Sequence, residues 1–316
     1  MRWCTMSSRP ASPVMSDGPA DEAPAVTENT VTWGALLRET EALLSRSEHS
    51  DNPRQEAKWI LEEVTGAEPG EFAAAMDELA TIRRVAKLDD MVARRTAGEP
   101  IQYVLGSWAF RSLDLLVDQR VLIPRPETEV VAGLAIAELD RLRRDGGGTV
   151  VDLGTGSGAI GLSIAAERPV NRVLLTDVSA DALSVARANL AGLGLAGSRV
   201  EIAEGSWFDA VPDRYRGECD VIVTNPPYVP TGDELAPSVV DWEPESALRA
   251  GSEGLDDLRV ILQHAPTWLR PGGALVMEMA PEQTTIIANE ADGLGMLTAV
   301  HADHAGLDRA VVARQP

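Results

Sequence analysis

From Val31 onward, apolar residues recur at helical spacing. Trp33, Leu36, Leu37, Leu43 and Leu44 fall on one face of a first predicted helix. Asn52-Pro53 then supplies a cap followed by proline at the first helical position, and Ala57, Ile60, Leu61 and Val64 repeat at i, i+3, i+4 and i+7 until Gly66 ends the pattern. Ile82, Val85, Leu88, Met91 and Val92 mark a third amphipathic segment, stopping before Gly98. Residues 31–97 are expected to form a small helical bundle, an architecture better suited to docking than to chemistry.

The period then changes. IQYVLGSWAF and LDLLVDQRVLIP, within residues 98–125, have β-rich character and read as a hairpin connector. Pro126 opens a helix with Glu127 and Glu129 in its first turn, where the positive end of the helix favours carboxylates. Past Gly146-Gly147-Gly148 the chain alternates. TVVDLG, RVLLTD, RVEIAE, CDVIVTN and GGALVMEM read as strands, and AIGLSIAAE, SADALSVARANLAGL, LDDLRVILQHAPTWL and PEQTTIIANEA as helices. TAVHA and AVVARQ close the chain as two more strands. The prediction for residues 126–316 is an α/β domain, a doubly wound sheet of seven strands with helices on both faces.

Residues 1–30 have neither period. Pro10, Pro13, Pro19 and Pro24 among small polar and acidic residues predict a disordered tail, with Met6 and Met15 as alternative starts. It lacks the apolar run of a secretory signal, and Asp17, Asp21, Glu22 and Glu28 speak against a mitochondrial presequence.

Charge narrows the choice of partners. The 316 residues hold 28 Lys+Arg against 49 Asp+Glu, a net charge of −21, which disfavours stable nucleic-acid or anionic-membrane binding. Two cysteines, Cys4 and Cys219, build neither a disulfide framework nor a four-ligand zinc site, so no metal is expected and the cytoplasm is the simplest location. His49, His264, His301 and His304 have no nucleophile or ligand partners in the pattern and read as structural or exposed.

Two loops carry candidate chemistry. Asp152-Leu153-Gly154-Thr155-Gly156-Ser157-Gly158 follows a strand and opens a helix. Glycine there lets the backbone turn tightly and approach a ligand at the helix start. The string from Gly156 to Gly161 fits G-x-G-x-x-G, with Asp177 19 residues after Gly158, so a nicotinamide-dinucleotide oxidoreductase is a formal candidate. Asp152, placed within the turn region, would repel a pyrophosphate and suit a cationic ligand. At the end of a later strand stands Asn225-Pro226-Pro227-Tyr228. Its prolines fix the backbone and lack N–H groups. The Asn225 side-chain oxygen and the Pro226 carbonyl are then available to accept both hydrogens of a planar NH₂ group, against which Tyr228 offers a flat face. Such a nitrogen is a poor nucleophile, so orienting its lone pair supplies much of the rate and a strong base is unnecessary.

The loop D-x-G-x-G-x-G resembles motif I of class I S-adenosylmethionine-dependent methyltransferases. By that resemblance Gly154, Thr155, Gly156, Ser157 and Gly158 line the methionine part of S-adenosyl-L-methionine, and Asp177 accepts both ribose hydroxyls. The order of Arg95-x-x-Gly98-Glu99-Pro100, Pro124-Arg125-Pro126-Glu127-Thr128-Glu129, the glycine loop, Asn225-Pro226-Pro227-Tyr228 and Glu243-Pro244-x-x-Ala247-Leu248 is similar to the HemK-type release-factor glutamine methyltransferases. The resemblance runs from about residue 31 to the C-terminus. It implies methyl transfer to the glutamine of the Gly-Gly-Gln motif in class 1 peptide chain release factors, docked with help from the helical domain. It implies Asn225, Pro226, Pro227 and Tyr228 as catalytic and substrate-binding residues, and Trp207, with Asn225, beside the cofactor. Ser206 stands where the family usually has an acid, and Arg111-Ser112 where it often has glycine. Arg125 and Glu127 either line the substrate pocket or serve structure, with Arg125 paired to Glu127 or Glu129. A monomer is expected. The other readings are an amino-group methyltransferase of nucleic acid or of a ribosomal-protein glutamine, the oxidoreductase above, and a silent adaptor using the bundle.

Overall fold

The computed structural model describes residues 30–67, 70–143 and 147–316. The expected tail lies, apart from Thr30, outside the described residues. The bundle comprises α1 (Trp33–Leu44), α2 (Pro53–Thr65), α3 (Phe72–Ala75), α4 (Ile82–Thr96) and α5 (Ile101–Leu105). Thr32 and Asn52 cap α1 and α2 through their side-chain oxygens, and Gly66 closes α2 in the left-handed conformation. Trp33, Leu44, Ile60, Leu61, Leu88 and Met91 fill the core. Within it Arg95 donates from Nε and Nη2 to the two Glu56 oxygens at 2.9 and 3.2 Å and from Nη1 to the Glu99 carbonyl at 3.1 Å. Arg95 thus ties three segments of the bundle together.

One segment departs from its predicted state. IQYVL, read as β-rich, is the helix α5. Pro100 precedes its first turn, Gly106 at φ +77° caps its end, and Ile101 and Val104 at i, i+3 enter the bundle core. Of the apolar run that follows, only β1 (Ser107–Phe110) and β2 (Leu113–Leu116) pair, antiparallel with Phe110 opposite Leu113. Val117, Val121 and Ile123 are buried in an irregular segment instead. Arg111, in the hairpin turn, has φ 51°, a conformation glycine takes more easily. Its own contacts hold it there: the backbone N–H donates to Glu129, and the guanidinium makes two bonds to Glu167 at 2.6 and 2.9 Å.

The remainder follows the predicted alternation, with one short helix, α9, that the pattern did not predict: α6 (Pro126–Leu142), β3 (Thr149–Leu153), α7 (Ala159–Glu167), β4 (Arg172–Asp177), α8 (Ala180–Gly192), β5 (Val200–Glu204), β6 (Cys219–Thr224), α9 (Pro237–Val240), α10 (Asp256–Trp268), β7 (Leu269–Glu278), α11 (Pro281–Gly293), β8 (Leu297–Ala302) and β9 (Asp308–Arg314). The seven strands form one sheet in the order β5-β4-β3-β6-β7-β9-β8. β9 runs antiparallel to both its neighbours; the pairs from β5 to β7 are parallel. Strand residues alternate between two cores. Val150, Val173, Val221 and Val223 pack with α6 and α7, while Val151, Leu174 and Ile222 pack with α10 and α11. This is the class I methyltransferase fold. Chain order reverses between β3 and β6, so the crevice for a ligand lies beyond the carboxyl ends of those strands.

Candidate active site

Leu153 pairs with Thr176 on one side and Thr224 on the other. Gly154, Asp177 and Asn225 therefore leave the sheet side by side, and the Thr224 hydroxyl donates to the Leu153 carbonyl at 2.7 Å to hold two of the exits together. Gly154, Gly156 and Gly158 have φ of +69°, +55° and +88°, a curve that side chains bearing a Cβ rarely adopt. Beyond them opens a cavity of about 290 Å³. The loop is fastened to the next strand: Gly156 N–H donates to Asp177 Oδ2 and Ser179 N–H to Oδ1, both at 2.9 Å. Burial pushes the Asp177 carboxyl above its ordinary value, against the pull of these amides.

Asp152 does not sit in the turn. It belongs to β3 and is 1 % exposed, underneath the glycine loop. Its Oδ2 accepts from Thr155 Oγ1 at 2.6 Å and from Gly161 N–H at 2.9 Å, while Oδ1 has no partner among the described residues. Complete burial raises its pKa to about 6. The strand's alternation turns this side chain inward, so it braces the loop from below and does not face a ligand.

Of the expected cofactor residues, Gly154, Thr155, Gly156, Ser157, Asp177, Trp207 and Asn225 line the cavity; Gly158 lies at the start of α7. Trp207 takes φ 42° and donates from its indole to Asp257 Oδ1 at 3.1 Å. Its ring packs over the loop so closely that a Cβ on Gly154 would come within 3.2 Å of it. Asp257 also lines the cavity, and the pattern LDDLRV gave no sign of this: acids in a first helical turn are ordinary.

Asn225 and Pro227 line the same cavity; Pro226 and Tyr228 are not among its lining residues. Asn225 Nδ2 donates to Thr128 Oγ1 at 3.2 Å. Its Oδ1 and the Pro226 carbonyl receive no hydrogen bond from the described residues. Tyr228 is held at both ends. Its phenol donates to Glu278 Oε1 at 3.3 Å, and its carbonyl accepts from Gln283 Nε2 at 2.9 Å. The same Gln283 nitrogen reaches the Glu253 and Gly254 carbonyls. Gly254, at φ +68°, passes so near that a Cβ would lie 2.0 Å from the Tyr228 oxygen.

Neither Arg125 nor Glu127 lines the cavity. Arg125 pairs with Glu243, not with Glu127 or Glu129. The Glu243 side chain is 1 % exposed and needs a cation more than either helix-start acid does, and Glu129 already accepts from Arg111. Glu243 Oε2 also accepts from Ile123 N–H at 3.1 Å, so two of the motifs noted in the sequence meet in one lock. Within the same proline-arginine run, Pro124 and Thr128 are the members that reach the cavity.

Two family models match the chain. The Methyltransferase small domain covers residues 135–241, and the PrmC N-terminal domain covers 35–106, from within α1 to the end of α5. Among curated proteins, the chain is similar to the release factor glutamine methyltransferase of Cereibacter sphaeroides, 38 % identical over 84 % of this chain and 92 % of that protein. The protein of the same name from Deinococcus radiodurans is 37 % identical over 89 % and 97 %. That from Xylella fastidiosa strain 9a5c is 41 % identical over 72 % and 80 %.

Proposed function

The chain belongs to the release factor glutamine methyltransferase family, and on that premise we propose that it methylates the side-chain amide nitrogen of the glutamine in the Gly-Gly-Gln motif of class 1 peptide chain release factors. It is an S-adenosylmethionine-dependent protein-(glutamine-N5) methyltransferase. The observation carrying the finer reading is the state of the Asn225 loop. Asn225 Nδ2 donates to Thr128, while its Oδ1 and the Pro226 carbonyl receive no hydrogen bond from the described residues.

S-adenosyl-L-methionine, when bound, supplies a methyl group on a sulfonium. The residues present fit it. Gly154 to Gly158 give a side-chain-free curve for its amino acid end. Each Asp177 oxygen accepts one amide and keeps lone pairs for a ribose hydroxyl. Trp207 and Asp257 also line the cavity.

For the substrate, Asn225 Oδ1 and the Pro226 carbonyl accept the two carboxamide hydrogens and fix the plane of the group. Its lone pair, perpendicular to that plane, is then aimed at the methyl carbon. This positioning replaces a collision between free partners and stabilises the positive charge that grows on nitrogen. The extra proton of the methylated nitrogen is acidic enough to pass to water. The bundle of α1 to α5 holds the body of the release factor, and Tyr228, tied to Glu278 and Gln283, holds the end of the loop in place.

Labelled S-adenosylmethionine should transfer its label to a release factor, and replacing the Gly-Gly-Gln glutamine should abolish incorporation. Label persisting without that glutamine, or appearing on nucleic acid, would refute the reading. Asn225→Ala should lower turnover about 10²–10³-fold, the usual loss for one preorganised hydrogen-bonding arm, while cofactor affinity stays largely unchanged. A collapse of cofactor affinity would instead give Asn225 a second role.

A further inference from the structure

Trp207 stands at φ 42°, a backbone conformation that bulky residues rarely take. Its indole N–H donates to Asp257 Oδ1 at 3.1 Å, and the opposite edge of the ring lies on Gly154. The second carboxylate oxygen, Asp257 Oδ2, makes no hydrogen bond among the described residues. Both side chains line the cavity, and Asp257 is half-buried there. A strained aromatic residue and a carboxylate with one oxygen unused thus share one wall, and strain held in place beside a cavity points to a ligand.

The path of the chain decides which part of the cofactor comes here. β4 lies between β3 and β5, so Asp177 leaves the sheet between the glycine loop and the segment that follows β5. Gly205 N–H donates to the Asp177 carbonyl at 3.0 Å, which starts Gly205-Ser206-Trp207 directly beside it. With the amino acid end along the glycine loop and the ribose at Asp177, the base extends toward Trp207 and Asp257. Adenine presents one exocyclic NH₂ group, a donor. A carboxylate only accepts, whereas the hydroxyl of Ser206, which also lines the cavity, donates or accepts and cannot tell an amine from a carbonyl. We propose that Asp257 is the residue that determines specificity for the base: Oδ2 accepts the exocyclic amine of adenine, while Oδ1 fixes the indole beside it.

This rests on the cofactor reading above and not on the identity of the methyl acceptor. Burial raises the Asp257 carboxyl above its ordinary value; the indole bond lowers it and neighbouring Asp256 raises it. A donor arriving at Oδ2 stabilises the charged form and offsets part of that cost. A base with a carbonyl in place of the amine brings lone pairs against the carboxylate and is rejected, because neither group can donate.

The test is binding and needs no turnover. Calorimetry at about pH 8, where the carboxylate is charged, would compare three ligands: S-adenosylhomocysteine, its analogue with hydrogen in place of the exocyclic amine, and its analogue with a carbonyl there. Wild type should bind the hydrogen analogue about 10- to 100-fold more weakly than S-adenosylhomocysteine, the range for one hydrogen bond to a charged group. Asp257→Ala should weaken S-adenosylhomocysteine far more than that analogue and bring their ratio to about 1–3, the coupling that a ligand-and-protein cycle isolates. Asp257→Asn gives the sharper outcome. The indole can only donate, so it claims the amide oxygen and leaves the new NH₂ group facing the base. That variant should prefer the carbonyl analogue over S-adenosylhomocysteine, the reverse of wild type. A ratio that survives Asp257→Ala, with all ligands weakened alike, would leave Asp257 a support for Trp207 alone and overturn the proposal. So would an Asp257→Asn protein that keeps the wild-type order. Wild-type protein that binds none of the three would defeat the cofactor reading and the inference with it, a result distinct from tight binding without discrimination.

Discussion

At the scale of single residues, the glycine loop is braced by a carboxylate buried beneath it. That carboxylate is Asp152. Its folded pKa, about 6, lies above the ordinary aspartate value, so the folded state holds the proton to higher pH than the unfolded chain. The proton-linked stability is fully present below about pH 4 and lost as pH rises through 6. Asp152→Asn keeps an oxygen for Thr155 and Gly161 and has no charge to desolvate. Urea unfolding should therefore show the variant gaining on wild type between pH 4 and 6, by up to about 3 kcal/mol, and holding that lead at pH 8. A stability difference that does not change with pH would mean that the residue acts through shape alone.

At the scale of elements, the functional loops are held by residues distant in sequence. Glu243 joins the segment before α6 to the region after β6 by receiving Arg125 and the Ile123 amide. Arg125→Ala would leave that buried carboxylate with the amide alone, and chemical denaturation should register a loss of about 2 kcal/mol. Arg125→Lys should rescue only part of it, because an ammonium lacks the planar fork. The same elements mark the limit of what sequence reading reaches. Helix and strand periods located the bundle and all seven strands of the sheet, because each buries one stripe or alternates between two cores. IQYVL escaped, since five apolar residues fit either period and only the bundle beside them decides. The glycine loop and the Asn225 loop were legible as strings with local mechanical meaning. Their bracing by Thr128, Glu278, Gln283 and Asp257 was not, because those contacts span tens of residues and involve types common at any helix start. The partner of Arg125 was misread for the same reason: near neighbours are visible in sequence and buried distant ones are not.

At the scale of the whole molecule, the bundle, the hairpin and the sheet share a seam. Tyr103 of α5 donates its hydroxyl to the Val121 carbonyl, and its ring packs with Val117, Ile123, Ala182 and Val185. Trp59 of α2 meets Trp108 of β1 edge to face at 5.6 Å. Heating should thus unfold the described units in one calorimetric transition. Trp108→Ala, which opens the seam at a cost of about 3 kcal/mol, should broaden or split it. Two transitions already present in wild type would show that the seam does not couple them. On the proposed function, docking on the bundle and methyl transfer at the sheet would depend on that seam for their alignment.

The closeness of Gly254 to the Tyr228 oxygen has an effect out of proportion to its size. One added methyl group there has no room unless the peptide after the two prolines moves, and with it the pair of acceptors. Gly254 does not line the cavity, yet a mutational scan scored by growth or methylation should find it nearly as intolerant as Asn225, and a search for resistance or altered specificity would do well to leave it alone.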